Sequence, residues 1–164
     1  MTNASYSLEH IEAGATGTYS PEDLESFTAV EEGGFEIGSD PMISEGFCNC
    51  IALIGLSKRV AVLGHFQQIS VPGLGSYDEF GDAIRALADF EAHTVILAAG
   101  GVFDNPVGLV DYTTADRAFA EQAVRASLPS SELVIDWNEA RGTCKDIVVF
   151  PEFGKVAIHP DTFE

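Results

Sequence analysis

The sequence predicts an α+β fold in which mixed β-sheets pack as a sandwich with helices on the outside. Near the middle of the chain, Ile51 to Ile54 and Val60 to Leu63 are apolar, strand-length runs separated by Gly55, Leu56, Ser57, Lys58 and Arg59, the pattern of a β-hairpin with a short loop. Near the end, Pro151-Glu152-Phe153-Gly154 makes a turn between the strand-like runs Ile147 to Phe150 and Lys155 to Ile158. Two amphipathic helical stretches and one continuous apolar run lie between these hairpins. Hairpins at both ends favour a mixed sheet or sandwich over a doubly wound parallel sheet.

In chain order, residues 1 to 40 read as an N-terminal extension with little core, and residues 41 to 164 as the main domain. Ser20, Pro21 and Asp23 have the form of an N-cap, a proline at the first helical position and an acid at the third, so a short helix is expected through Phe27. After the central hairpin, Phe66 to Gly75 is a connection, and Ser76 with Glu79 forms a capping box for a helix whose Phe80, Ile84 and Leu87 share one face. Thr94 to Ala99 suits a buried strand and ends in Gly100-Gly101, a doublet that serves a turn or a close backbone approach. Asp104 to Tyr112 is a loop. Thr113 and Asp116 open a second helix with the stripe Phe119, Ala123 and Val124, and Leu133 to Trp137 is a further strand.

A chain of 164 residues, 46% of them apolar, suits one domain burying ~70% of its unfolded surface. Acidic residues number 26 against 8 basic, a net charge of −18 that repels nucleic-acid phosphates and anionic membranes. The acids are scattered, which suits a solvated, salt-adapted surface or a docking face for a basic partner. No run approaches the ~20 apolar residues of a membrane span. Three cysteines and a start without a basic or apolar leader read as a cytoplasmic protein with reduced thiols.

The stretch Ser44 to His65 carries the chemistry. If the hairpin reverses at Ser57 and Lys58, Cys50 faces His65 with Cβ atoms ~5 Å apart, whereas a one-residue slip in register puts them on opposite faces. An imidazole beside a thiol can take its proton, and an adjacent imidazolium lowers the thiol pKa from ~8.5. The same two residues also suit plain packing, a cysteine as a small hydrophobe and a histidine beside an apolar strand. Ser44 has a hydroxyl able to accept or donate near the site but ordinarily reads as a turn residue before a strand, and Asn49 reads as a polar edge residue. Zinc is disfavoured: Cys48-Asn49-Cys50 with His65, His93, Cys144 or His159 lacks the spacing of a zinc knuckle. Gly73-Leu74-Gly75 lacks the preceding strand and third glycine of a phosphate loop, so no cofactor is expected.

Several of these local patterns, in order over residues 41 to 159, resemble the CheD-type chemoreceptor glutamine deamidases, distantly related to the catalytic domains of cytotoxic necrotizing factor toxins. Ser44, Gly46 and Cys50-Ile-Ala-Leu-Ile are similar to the family's Thr-Leu-Gly-Leu-Gly-Ser-Cys-Val-Ala-Val, and Gly64-His65-Phe66 to its Ala-His-Phe. Ile96 to Gly101 is similar to its strand ending in Gly-Gly, and Gly142 through Lys155-Val156 to its C-terminal hairpin. Cys48-Asn49 stands where the family has Gly-Ser, the segment between nucleophile and histidine is shorter, and Gly142 to Lys145 lacks the family's arginine. The resemblance implies a CheD-like sandwich, with Cys50 as nucleophile, His65 as base and Ser44 as the hydroxyl that orients the imidazole. It implies hydrolysis of a protein glutamine side-chain amide through a thioester, with a chemoreceptor among the candidate substrates and a CheC-type regulatory protein as a candidate partner. A thiol hydrolase of another amide or ester, and a non-catalytic CheD-like binding module, stand beside that reading.

Overall fold

A computed structural model describes residues 6–11, 21–102, 112–140 and 142–160. Their strands are β1 (Ser7–His10), β2 (Thr28–Ala29), β3 (Phe35–Gly38), β4 (Met42–Phe47), β5 (Ile51–Ser57), β6 (Val60–Phe66), β7 (Thr94–Ala99), β8 (Glu132–Trp137), β9 (Lys145–Phe150) and β10 (Lys155–Pro160). The helices are α1 (Pro21–Glu25), α2 (Tyr77–Asp89) and α3 (Thr113–Ser127), and a single 3₁₀ turn, Pro151–Phe153, links β9 to β10. The expected cap Ser20 and nearly all of the loop at 104–112 lie outside the described residues.

Two five-stranded mixed sheets result, ordered β1-β10-β9-β4-β2 and β3-β6-β5-β7-β8. Successive strand residues point to opposite faces, so each sheet sorts its apolar residues into two sets. Phe47, Ala52, Ile54, Leu63, Ile96, Ile147, Val149 and Val156 fill the space between the sheets. Ile51, Leu53, Val62, Phe66, Val95 and Leu97 turn the other way and meet Phe80, Leu87, Ala120 and Val124 of α2 and α3. Leu24 and Phe27 pack against Ile43, Val148 and Ala157 on the outer face of the first sheet. The molecule is therefore an α+β sandwich with outer helices. Strand β5 is covered on both faces, which is why it reads as an unbroken apolar run.

Of the first forty residues, expected to form an extension with little core, the described ones (6–11 and 21–40) contribute strands to the sheets. β1 runs parallel to β10, β2 parallel to β4 and β3 antiparallel to β6, so this segment joins both sheets, and Val30 is buried in the central core. These strands are two to four residues long and mostly exposed, too short and polar for a period-two pattern to register. The capping box of α2 is also absent: Ser76 makes no side-chain cap bond. Its hydroxyl accepts instead from Gln67 N at 3.4 Å, and its amide donates to Gln67 O, tying the helix start to the end of the central hairpin.

Candidate active site

The central hairpin turns at Lys58 and Arg59, one position later than expected, with Ser57 paired to Val60 and Arg59 at φ 58°. His65 consequently faces Ala52, and Cys50, just before β5, sits diagonally from it in line with Gln67. Moving the turn by one residue shifts the pairing by two, so face is conserved although direct opposition is lost. Cys50, like Ala52 and Ile54, lies on the face of the central hairpin turned to the space between the sheets, and His65, two residues on from Leu63, shares it.

Strand β4 brings the other sheet to this imidazole. Ser44 pairs with Ile147 and Phe47 with Lys145, so three steps along β4 match two along β9 and an extra residue is accommodated at Glu45-Gly46. On a regular strand, residues three apart point to opposite faces; the bulge puts Ser44 and Phe47 on the same one. Gly46 supplies the required left-handed backbone at φ 77°, and its amide donates to Asp146 Oδ1 at 2.9 Å. The Phe47 and His65 rings stack with centroids 3.8 Å apart, and Ser44 Oγ lies 2.8 Å from His65 Nδ1.

Hydrogen-bond chemistry decides the tautomer. Ser44 Oγ is 2.7 Å from the Val30 carbonyl oxygen, which can only accept, so the single hydroxyl proton goes there. The serine oxygen then accepts from His65 Nδ1–H, leaving Nε2 with its lone pair. Nε2 is buried and has no hydrogen-bond partner. Burial pulls the imidazole pKa down to about 4, so the ring is neutral at physiological pH.

Cys50 is the free thiol among the described residues and is 4% exposed. Its Sγ donates to Glu32 Oε1 at 3.7 Å and also lies 3.9 Å from Gln67 Oε1. Desolvation, then the Glu32 carboxylate and more weakly Asp116, push the thiol up to about 12. With Sγ on Glu32 the thiol is therefore raised, not acidified by His65. Low dielectric disfavours thiolate and imidazolium alike, and the charge closest to the sulfur is negative.

Backbone contacts brace this loop. Gly100 N donates to Cys50 O and Gly101 N to Cys48 O, both at 2.8 Å. A Cβ at Gly101 would stand 2.6 Å from Cys48 O, so the doublet serves a close approach as well as a turn. Arg117 holds the Gly100 carbonyl from α3 while lying over the Trp137 ring. Asp116, expected only to open a helix, is buried; its carboxylate accepts from Gln68 N, Ser70 N and Ser70 Oγ, fixing the loop after His65. Neither Glu32 nor Asp116 announces itself in sequence, because both reach the hairpin from elements far away along the chain.

The thiols are not all reduced: Cys48 and Cys144 form a disulfide. The β4–β9 register that matches Phe47 with Lys145 continues by one residue to set these two cysteines side by side. Among the described residues, no group of three His, Cys, Asp or Glu side chains is placed to hold a metal ion, and no helix is long and apolar enough to cross a membrane. No family model matches the chain, and no curated protein matches it.

Proposed function

We propose that this protein is a cysteine-dependent amidohydrolase that deamidates a glutamine side chain of a protein substrate. The observation that supports the reading best is the directed relay Val30 O, Ser44 Oγ, His65 Nδ1, which leaves Nε2 unprotonated, buried and unpartnered on the face that carries the Cys50 thiol. As substrate enters, Nε2 takes the thiol proton and sulfur attacks the amide carbon. The imidazolium then protonates the departing nitrogen, the C–N bond breaks and ammonia leaves a thioester. Water, deprotonated by Nε2, adds to that carbon; the C–S bond breaks, the thiol recovers its proton and glutamate is released. Sγ must turn from Glu32 toward Nε2 for the first step, and apo sites of this kind are often loose before substrate binds.

A chemoreceptor is one candidate substrate and a CheC-type protein a candidate regulatory partner in this reading, with the cytoplasm as its setting; neither nucleic acid nor membrane insertion has a place in it. The chemistry is tested by ammonia release and the ~1 Da mass gain of amide-to-acid exchange on candidate proteins, with Cys50→Ser and His65→Gln as controls. Loss of at least ~10²-fold is expected in each variant, and variants as active as wild type refute the mechanism. One observation favours a second reading, a binding module without turnover: the thiol is buried and protonated, the state of an inert structural cysteine. Absence of ammonia release from every candidate that the protein binds decides for the module.

A further inference from the structure

A cavity of about 470 Å³ lies beside the imidazole, lined by residues 29–32, Ile43 to Gly46 and His65. Glu31, Glu32 and Glu45 are among its lining residues and no Lys or Arg is, and among the described residues none of the three has a cationic partner. A cluster of acids alone is only a solvated face. Here its wall also holds His65, which is 3% exposed and whose Nε2 has no partner. Glu32 connects cavity and nucleophile, because it lines the first and hydrogen-bonds the second. The thiol itself is not part of the cavity wall.

The backbone beneath Glu32 is firmly held. Val30 N donates to Ile43 O, Gly33 N to His65 O and His65 N to Gly34 O, so the strap is bonded to both sheets. The Glu32 side chain is exposed, and it can leave the sulfur without unpacking anything. Its carboxylate accepts the hydrogen bond of the thiol at 3.7 Å, and that contact must be given up before the sulfur can hand its proton to His65. Because Glu31 and Glu45 line the same cavity, a cation entering it would be drawn to Glu32 and its acidic neighbours alike.

Resting on the thiol-hydrolase reading above, we propose that the substrate carries a cationic side chain, Lys or Arg, beside the target amide, and that Glu32 selects it by moving from the Cys50 thiol onto that cation. Glu32 is on this view a specificity-determining residue, and the charge that admits the substrate also uncovers the nucleophile.

The test compares three methanethiosulfonates at Cys50, one neutral (methyl), one cationic (trimethylammonioethyl) and one anionic (sulfonatoethyl). In each, the Cys50 thiolate sulfur bonds to the sulfenyl sulfur, methanesulfinate departs with the bonding pair, and the thiol proton goes to His65 or water. Wild type should react at least ~10-fold faster with the cationic than with the anionic reagent. Glu32→Gln should bring that ratio within ~3-fold and speed the neutral reagent, whereas Glu36→Gln, equal in charge change, should leave the ratio as it was. A ratio indifferent to Glu32→Gln overturns the proposal. In parallel, ammonia release is followed from peptides with Gln beside Lys, Ala or Glu, the Lys peptide being expected fastest in wild type and the order lost in Glu32→Gln. Equal release from all three overturns the selection and leaves the hydrolase standing. No release from any, with a reagent preference abolished by Glu32→Gln, overturns hydrolysis while supporting Glu32 as the charge filter.

Discussion

The hydroxyl of Ser44 lies 2.8 Å from Nδ1 of His65, and the two residues belong to different sheets of the sandwich. Each sheet therefore supplies half of the arrangement that orients the candidate base. Ser44→Ala leaves both Nδ1–H and the Val30 carbonyl without this partner in a buried place, at about 1–3 kcal/mol in stability, and frees the ring to take the other tautomer. Ser44→Thr, which keeps the hydroxyl, should retain most function. Urea unfolding and ¹⁵N chemical shifts of the imidazole check both variants, and an unchanged Nδ1–H tautomer in Ser44→Ala contradicts the relay.

The pH dependence of stability follows from His65. Its pKa falls from 6.5 unfolded to about 4 folded because burial disfavours the cation, so the unfolded chain binds the extra proton between those values. The contribution of the neutral ring is whole above pH 6.5 and is lost as the pH falls toward 4, about 3 kcal/mol in all. Acidification also neutralises carboxylates, so the informative quantity is the difference between wild type and His65→Gln. That difference should shrink across this window; a difference independent of pH removes His65 as its source.

Thiol counting tests the covalent arrangement. Under non-reducing conditions an unfolded chain should expose one reactive thiol, Cys50, and after reduction all three cysteines. In the folded protein Cys50 should react slowly near pH 7, since its thiol is buried and pushed up to about 12. Peptide mass spectrometry identifies each site. The disulfide closes a sequence separation of 96 residues, so Cys144→Ser should cost roughly 2–5 kcal/mol on thermal unfolding. Free Cys48 in oxidised, folded protein would contradict the pairing.

Gly101→Ala probes the brace behind the candidate nucleophile. The new methyl would meet Cys48 O at 2.6 Å, a backbone atom that cannot turn aside, so the loop carrying Cys50 must shift. Destabilisation of roughly 1–3 kcal/mol and a changed Cys50 alkylation rate are expected. A variant indistinguishable from wild type in both measurements means the contact is slack.

Much of the fold was legible from local pattern. The two hairpins, α2, α3 and the run at Thr94 to Ala99 each advertise themselves, because burial of one or both faces writes a period or an unbroken apolar stretch into contiguous residues. The same-face relation of Cys50 and His65 survived an error in the turn, because pairing shifts that preserve parity preserve the face. Strands β1 to β3 were not legible, being short and mostly exposed edge pieces.

What chain order alone established is therefore the α+β class, the hairpin that pairs a thiol-bearing segment with an imidazole-bearing one, and the acidic charge. The surroundings of those two groups came from folding. Ser44 reaches His65 through a bulge in another sheet, Glu32 reaches Cys50 from the strap between β2 and β3, and Cys48 meets Cys144 across 96 residues. Adjacent pairing in a hairpin is governed by turn geometry a few residues away, which a sequence displays. Protonation state is governed instead by desolvation and by charges from distant segments, and these exist only once the two sheets have closed on each other.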